Sequence, residues 1–268
     1  MLSIYGSWFG YEGYGLEASI RMVAQAGFEG VLLWWSDEYN RPNYKKQPDY
    51  ARKAGLFVEN IHAPFGDITQ NIWADNEAGQ ATFECYMQCV EDCANYEIPA
   101  MVLHVSRSND LPLVSDPGLN RLKRIADRAE QRGINIAIEN LRTAEAITRA
   151  TYVLEQIDAP RLGFCFDAGH HNARLVAETD MLAQFGHRLM ALHLHDNDGT
   201  DDQHLLPFDG TTDWPALMQR IRQTGYTGPT TLEVVCEGYQ DRPPEEFLAL
   251  AYERVKKLDE LRNLKPAK

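Results

Sequence analysis

The sequence predicts an α/β protein folded as a single (β/α)8 TIM barrel over residues 1–268, on three observations. Strand-like and helix-like stretches alternate along the chain, its 268 residues are close to the ~250 typical of such a barrel, and six of the eight strand-like stretches run into a His, Glu or Asp. Alternating strands and helices imply a parallel sheet, and eight units at this length favour a closed barrel over an open doubly wound sheet. No Gly-x-Gly-x-x-Gly follows the first strand, as a dinucleotide-binding fold would require.

Residues 3–5 read as the first strand. After an aromatic loop through Trp8, Phe9, Tyr11 and Tyr14, the helix of 16–26 stops at Gly27. Residues 30–34 form the second strand, and a short helix ending at Gly55 precedes the third, 56–61, which delivers His62-Ala63-Pro64. A long helix, 76–95, leads to the fourth strand, 100–103, and His104; a helix over 119–132, stopped by Gly133, leads to the fifth, 134–138, and Glu139-Asn140. The helix of 144–157 precedes the sixth strand, 162–166, and Asp167. A helix near 180–185 leads to the apolar run 189–192, which delivers His193 and His195; after a helix from 214 to 223, residues 228–232 deliver Glu233, and the last helix spans 244 to about 261. In a barrel of this kind the C-terminal strand ends converge on one mouth, where the chemistry is done. His62, His104, Glu139, Asp167, His193 and Glu233, far apart in sequence, are therefore expected in one cavity.

The stretch from 193 to 214 is the densest in chemistry, with three histidines and six aspartates. His193 and His195 lie two apart, which in a strand puts both on one face, and Asp202 and His204 repeat the spacing. Imidazoles and carboxylates packed this closely would repel or go unsatisfied in a dry interior, whereas a divalent cation accepts both. A solvated acidic loop would have the same composition; the polar ends of the other strands decide for a metal site.

A net charge of -13 argues against a nucleic-acid partner. No apolar run approaches the ~20 residues of a membrane span, and no cationic segment followed by an apolar one marks a signal peptide, so a cytoplasmic protein is expected, with no membrane partner. The five cysteines, Cys85, Cys89, Cys93, Cys165 and Cys236, are read as small buried hydrophobes in a reducing compartment. Nothing in the sequence reads as an oligomer interface, and a homo-oligomer is equally allowed.

Ile-His-Ala-Pro at 61–64, Ala-Ile-Glu-Asn at 137–140, Phe-Asp-Ala-Gly-His at 166–170, His-Leu-His-Asp at 193–196, Asp-Gln-His at 202–204 and Leu-Glu-Val at 232–234 resemble the xylose isomerase-like barrel superfamily. That superfamily includes sugar isomerases and 3-epimerases, inosose dehydratases and endonuclease IV. The resemblance implies one divalent metal, Mn, Mg or Co ahead of Zn, held by Glu139, Asp167, His193 and Glu233. Three carboxylates and one imidazole suit those hard cations. Asp202, His204 and His170 are candidate additional metal ligands, and His62, His104, His195, Trp8, Trp34 and Arg142 are the expected substrate contacts. Where the family commonly has Asp-x-His-x-x-Pro-Gly-x-Gly, this chain has Pro207-Phe208, which leaves the turn there, and the substrate cover it forms, unspecified.

By similarity to ketose 3-epimerases, Glu139 and Glu233 are expected to alternate as base and acid at a carbon beside a metal-polarised carbonyl, through an enediolate, with His170 assisting. Metal ligation alone is the plainer role for both glutamates. Trp8, Trp34, Phe65 and Trp73 fall in loops at the mouth, where they either shape a sugar pocket or pack. The acidic loop 236–241 favours an unphosphorylated sugar or polyol, with Arg107 and Arg142 as the residues that would argue otherwise. An inosose-type dehydratase shares the first proton abstraction, and an endonuclease IV-like tri-zinc phosphodiesterase would use His62, His104, Glu139, Asp167, His170, His193, Asp202, His204 and Glu233. A non-catalytic sugar-binding barrel would need neither glutamate.

Overall fold

A computed structural model describes residues 1–6, 13–37, 43–66, 69, 71–106, 114–174 and 179–264. Trp8, Phe9, Tyr11 and Arg107 lie outside these residues. The strands are β1 (Leu2–Tyr5), β2 (Gly30–Trp34), β3 (Phe57–His62), β4 (Ala100–Leu103), β5 (Asn135–Glu139), β6 (Leu162–Asp167), β7 (Leu189–His193) and β8 (Thr230–Leu232). They form one eight-stranded sheet in the order β7-β6-β5-β4-β3-β2-β1-β8, and a parallel bridge joins Leu194, just past the end of β7, to Leu232, the last residue of β8. The fold is a (β/α)8 TIM barrel. The helices are α1 (Leu16–Gln25), α2 (Gln47–Lys53), α3 (Glu77–Asn95), α4 (Asp116–Arg132), α5 (Ala144–Gln156), α6 (Ala168–Asn172), α7 (Met181–Phe185), α8 (Trp214–Gln223) and α9 (Pro244–Asn263). No helix among the described residues is long and apolar enough to cross a membrane.

By its contacts the chain divides into two compact units. In the unit Asn60–Phe166 with Arg174–Ala191, β5 lies between β4 and β6, pairing Ala137 with Val102 and with Gly163. Val102, Ala137, Cys165 and Ala191 form a fully buried layer against which Met190 packs. A Cβ on Gly163 would meet the Arg188 carbonyl at 2.3 Å, so only glycine fits there. Helix starts are set by side-chain caps. Asn76 accepts from the Gly79 amide at 3.1 Å, Ser115 from Gly118 at 3.2 Å and Thr143 from Ala146 at 3.2 Å, each worth about 0.5–2 kcal/mol. The Ser115 cap, followed by Pro117 in the first turn, starts α4 three residues before the first apolar position that the periodicity picks out. Trp73 is buried: its Nε1 donates to the Val105 carbonyl at 2.7 Å and its own carbonyl accepts from Ser115 at 2.5 Å.

In the unit Met1–Glu59, Asp167–Ala173 and Leu192–Lys268, β1 pairs in parallel with β2 and β8. α1 turns Ile20, Met22 and Val23 inward, Tyr252 of α9 meets Phe28 edge-on at 5.4 Å, and α8 starts on the Asp213 cap. Trp34 is buried, its carbonyl accepting from Gln47 Nε2 at 2.8 Å. Glu59 is a buried carboxyl on β3 that accepts hydroxyls from Ser3 on β1 and from Thr231 on β8, the latter at 2.8 Å. Burial pushes this carboxyl above its ordinary value, against the pull of the two hydroxyls. A carboxyl raised on folding stabilises fully below its unfolded pKa of about 4.3, and that contribution is lost as pH rises through the folded value. Glu59→Gln accepts the same hydroxyls with no proton to lose. It is expected to gain on the wild type as pH rises from about 4 to 8, by a Tm difference growing by at least about 2 °C; parallel Tm curves would show that Glu59 carries no such burden.

Candidate active site

Glu139, at the end of β5, is buried with two imidazoles turned to one of its oxygens: His104 Nε2 lies 3.1 Å and His62 Nε2 3.4 Å from Oε2. His62 Nδ1 faces the Ala63 carbonyl at 2.8 Å. A carbonyl only accepts, so Nδ1 is the nitrogen that donates there, and Nε2 is the one turned to the Glu139 carboxyl. Phe65 packs its ring 5.3 Å from His62 and 5.0 Å from His104, which are 4.8 Å from each other. One ligand atom from each of His62, His104 and Glu139 falls within a 4.8 Å set. Arg142, three residues past Glu139, is half-buried.

The other unit carries the larger cluster. His193 Nδ1 is 3.2 Å from Glu233 Oε2, and the backbone fixes the pair, Leu194 donating to the Thr231 carbonyl at 2.9 Å and Glu233 donating to that of Leu194 at 3.1 Å. Asp167 caps the short helix α6 by accepting from the His170 amide at 2.6 Å, while its other oxygen lies 3.1 Å from His195 Nε2. His170 Nε2 in turn meets Asp202 at 3.0 Å. His204 lies 3.5 Å from the same Asp202 oxygen, stacks on His195 at 3.9 Å and directs Nδ1 to the Glu233 carbonyl at 2.7 Å. His195, His204 and Glu233 form a second set of ligand atoms within 4.8 Å. Burial opposes charge on both Asp202 and His204, but the imidazoles of His170 and His204 hold the Asp202 carboxyl well below the usual carboxylate range, and Asp202 raises His204 to about 9. The molecule thus has buried groups of His with Asp or Glu able to hold a divalent cation.

Most of the aspartates after β7 are scaffold. Asp196 takes N–H groups from Asn197, Phe208, Thr212 and the Trp214 indole at 2.8–3.1 Å, and its backbone pairs both ways with Leu205. Asp198 closes its own turn with Thr200 and Gln203, Asp209 pairs with Arg254 and Tyr239, and Asp213 caps α8. Asp202 differs in reaching the histidines His170, His195 and His204. His204 and Phe208 are two of the four non-glycine residues with positive φ among the described residues, at 47° and 75°. Such backbone costs about 1–3 kcal/mol each and persists where the surroundings impose it. The turn at Pro207-Phe208 therefore keeps the left-handed geometry that a glycine would take freely. His195, two residues beyond His193, lies past the end of β7 and is fully buried against Asp167 and His204; β7 ends at His193. The α6 helix, with Gly169 fitted against the His195 ring, was not visible in the periodicity.

The chain belongs to the xylose isomerase-like TIM barrel family, whose model matches residues 20–258. The uncharacterized protein y4fM of Sinorhizobium fredii is 25% identical over 260 residues, 84% of this chain and 83% of its own. The fructoselysine 3-epimerase of Shigella flexneri is 28% identical over 142 residues, 51% of each chain. A solved structure of a D-tagatose 3-epimerase-like protein shares the fold with a TM-score of 0.76, at 23% identity over 98% of both chains.

Proposed function

We propose that this chain is a divalent-metal-dependent sugar epimerase or isomerase acting on a small, unphosphorylated sugar or polyol. The observation that carries the reading is that two buried glutamates at separate strand ends, Glu139 and Glu233, each face imidazole nitrogens at hydrogen-bonding distance. Period-two alternation supports one shared mouth. Val102, Ala137, Cys165 and Ala191 form a buried layer, and two residues further along each strand come His104, Glu139, Asp167 and His193. Glu139, Asp167, His193 and Glu233 are the residues proposed to hold one metal, a set rich in carboxylate that fits Mn, Mg or Co. A divalent cation there would polarise a carbonyl oxygen and favour loss of the neighbouring C–H proton. One glutamate takes that proton and the other delivers one to the opposite face, while His170, held to Asp202, assists at the substrate oxygens. His62, His104, His195, Trp34 and Arg142 are proposed to bind the sugar, with Trp8 completing the set.

The His170, Asp202 and His204 group favours a second reading, a multi-metal phosphodiesterase of the endonuclease IV kind. Metal content of protein purified without chelators or an affinity tag separates the two. One Mn, Mg or Co per chain is expected, with turnover on a ketose and aldose panel lost on chelation and restored by that ion. About three zincs per chain with abasic-site cleavage would replace this reading by the nuclease one. Loss of water from an inosose would assign a dehydratase, and sugar binding without turnover in the metal-loaded protein would assign a binding barrel.

A further inference from the structure

We propose that Phe208 is a positioning residue, whose ring clamps the segment 204–208 against α9 and so holds His204 in its strained place between His195, Asp202 and the Glu233 carbonyl. The catalytic half of this inference rests on the function proposed above. A bulky aromatic at φ 75° is a backbone outlier, retained where side-chain contacts outweigh the cost. Those contacts are present. Lys257 Nζ lies 3.9 Å and Arg254 Cζ 5.6 Å from the centre of the Phe208 ring, with the Trp214 ring 6.1 Å away. Cations over an aromatic face attract it, and both come from α9. The next residue reinforces the contact, Asp209 pairing with Arg254 at 2.9 Å and accepting from the Tyr239 hydroxyl at 2.8 Å. Tyr239 also accepts from the Leu206 amide at 3.1 Å, and Asp196 accepts from the Phe208 amide at 3.0 Å.

His204 sits at the other end of this short segment, at φ 47°. Its carbonyl accepts from the Val235 amide at 3.2 Å, and Leu205 exchanges two backbone hydrogen bonds with Asp196 at 2.8 and 2.9 Å. With one end of the segment tied by Phe208 and the other by His204, a glycine at 208 would remove the strain and the ring together. The chain gives up backbone ease at this turn for a fixed side chain.

Phe208→Gly, with Lys257→Met as a milder variant that keeps the stem and removes the charge, tests the clamp by amide hydrogen exchange. Exchange at Leu205, Val235 and Asp196 is expected to speed up by at least about tenfold in Phe208→Gly and less in Lys257→Met, with Leu194 and Glu233 unchanged. On the sugar turned over by the wild type, kcat is expected to fall by about tenfold or more with a smaller change in KM. Unchanged exchange in Phe208→Gly overturns the clamp. Faster exchange with unaltered kcat overturns the positioning role and leaves the ring as ordinary packing. A wild type with neither bound metal nor turnover sinks the proposed function and the catalytic half with it, while exchange alone still decides the clamp.

Discussion

Glu139→Gln and Glu233→Gln are each expected to lower kcat by about 10²–10⁴-fold with little change in Tm. Glutamine has nearly the shape of glutamate and keeps an acceptor oxygen, so the surrounding packing survives, but it cannot take or return a proton. Either replacement also touches neighbouring imidazoles, because His62 and His104 both turn toward one Glu139 oxygen at 3.4 and 3.1 Å, and His193 Nδ1 lies 3.2 Å from Glu233. Bound metal is therefore measured in each variant beside activity. The proposed pair of bases predicts an asymmetry: with one glutamate replaced, the other should still remove the proton of the epimer presented to it. Deuterium should then enter one epimer from solvent without inversion, and the epimer that exchanges should switch between the two variants. Near-normal turnover in either variant would remove that residue's proton-transfer role. Loss of metal together with loss of all exchange would make it a ligand and nothing more.

The strand ends were the legible part of this chain. Apolar runs of four to six residues closing on His, Glu or Asp mark both the element and the side of the barrel it serves, and β2 and β4 coincide with their apolar runs. Less legible was anything decided by a single contact. Ser115 starts α4 early because its hydroxyl accepts the Gly118 amide, and an apolar count does not register a cap. The cluster after β7 misleads in the opposite direction. Its density of aspartate suggests ligands, yet Asp196, Asp198, Asp209 and Asp213 serve N–H groups, hydroxyls and an arginine within the loop and its neighbours. Carboxylates that hold a loop and carboxylates that hold a cation look alike in sequence, because both answer the same need for an acceptor. Glu59 departs from the apolar pattern of its strand, and only the hydroxyls of Ser3 and Thr231, from two other strands, explain how it is tolerated.

Gly169→Ala is expected to cost about 10²-fold in kcat and a few degrees in Tm, although alanine is the better helix former by about 1 kcal/mol. Gly169 lies in α6, and a Cβ built there would stand 1.9 Å from His195 Cε1 and 2.2 Å from Nδ1. The imidazole has nowhere to retreat: it is fully buried, its Nε2 faces Asp167 at 3.1 Å and its face is stacked on His204 at 3.9 Å. Either the ring leaves Asp167, or α6 shifts and carries with it the Asp167 cap on the His170 amide. Overpacking of this kind costs about 1–3 kcal/mol, enough to outweigh the gain in helix propensity. Both routes disturb the surroundings of Asp167, one of the proposed metal ligands, the first by taking away its His195 partner and the second by moving its cap, so metal affinity should fall with kcat. The cause can be separated from a general weakening of α6 by a double-mutant cycle with His195→Ala, which empties the space the new methyl needs. If the collision is the mechanism, the Tm losses of the two substitutions will be strongly sub-additive. Additive losses would place the damage in the helix itself, and a Gly169→Ala protein with unchanged Tm and kcat would show that the His195 ring has room to move after all.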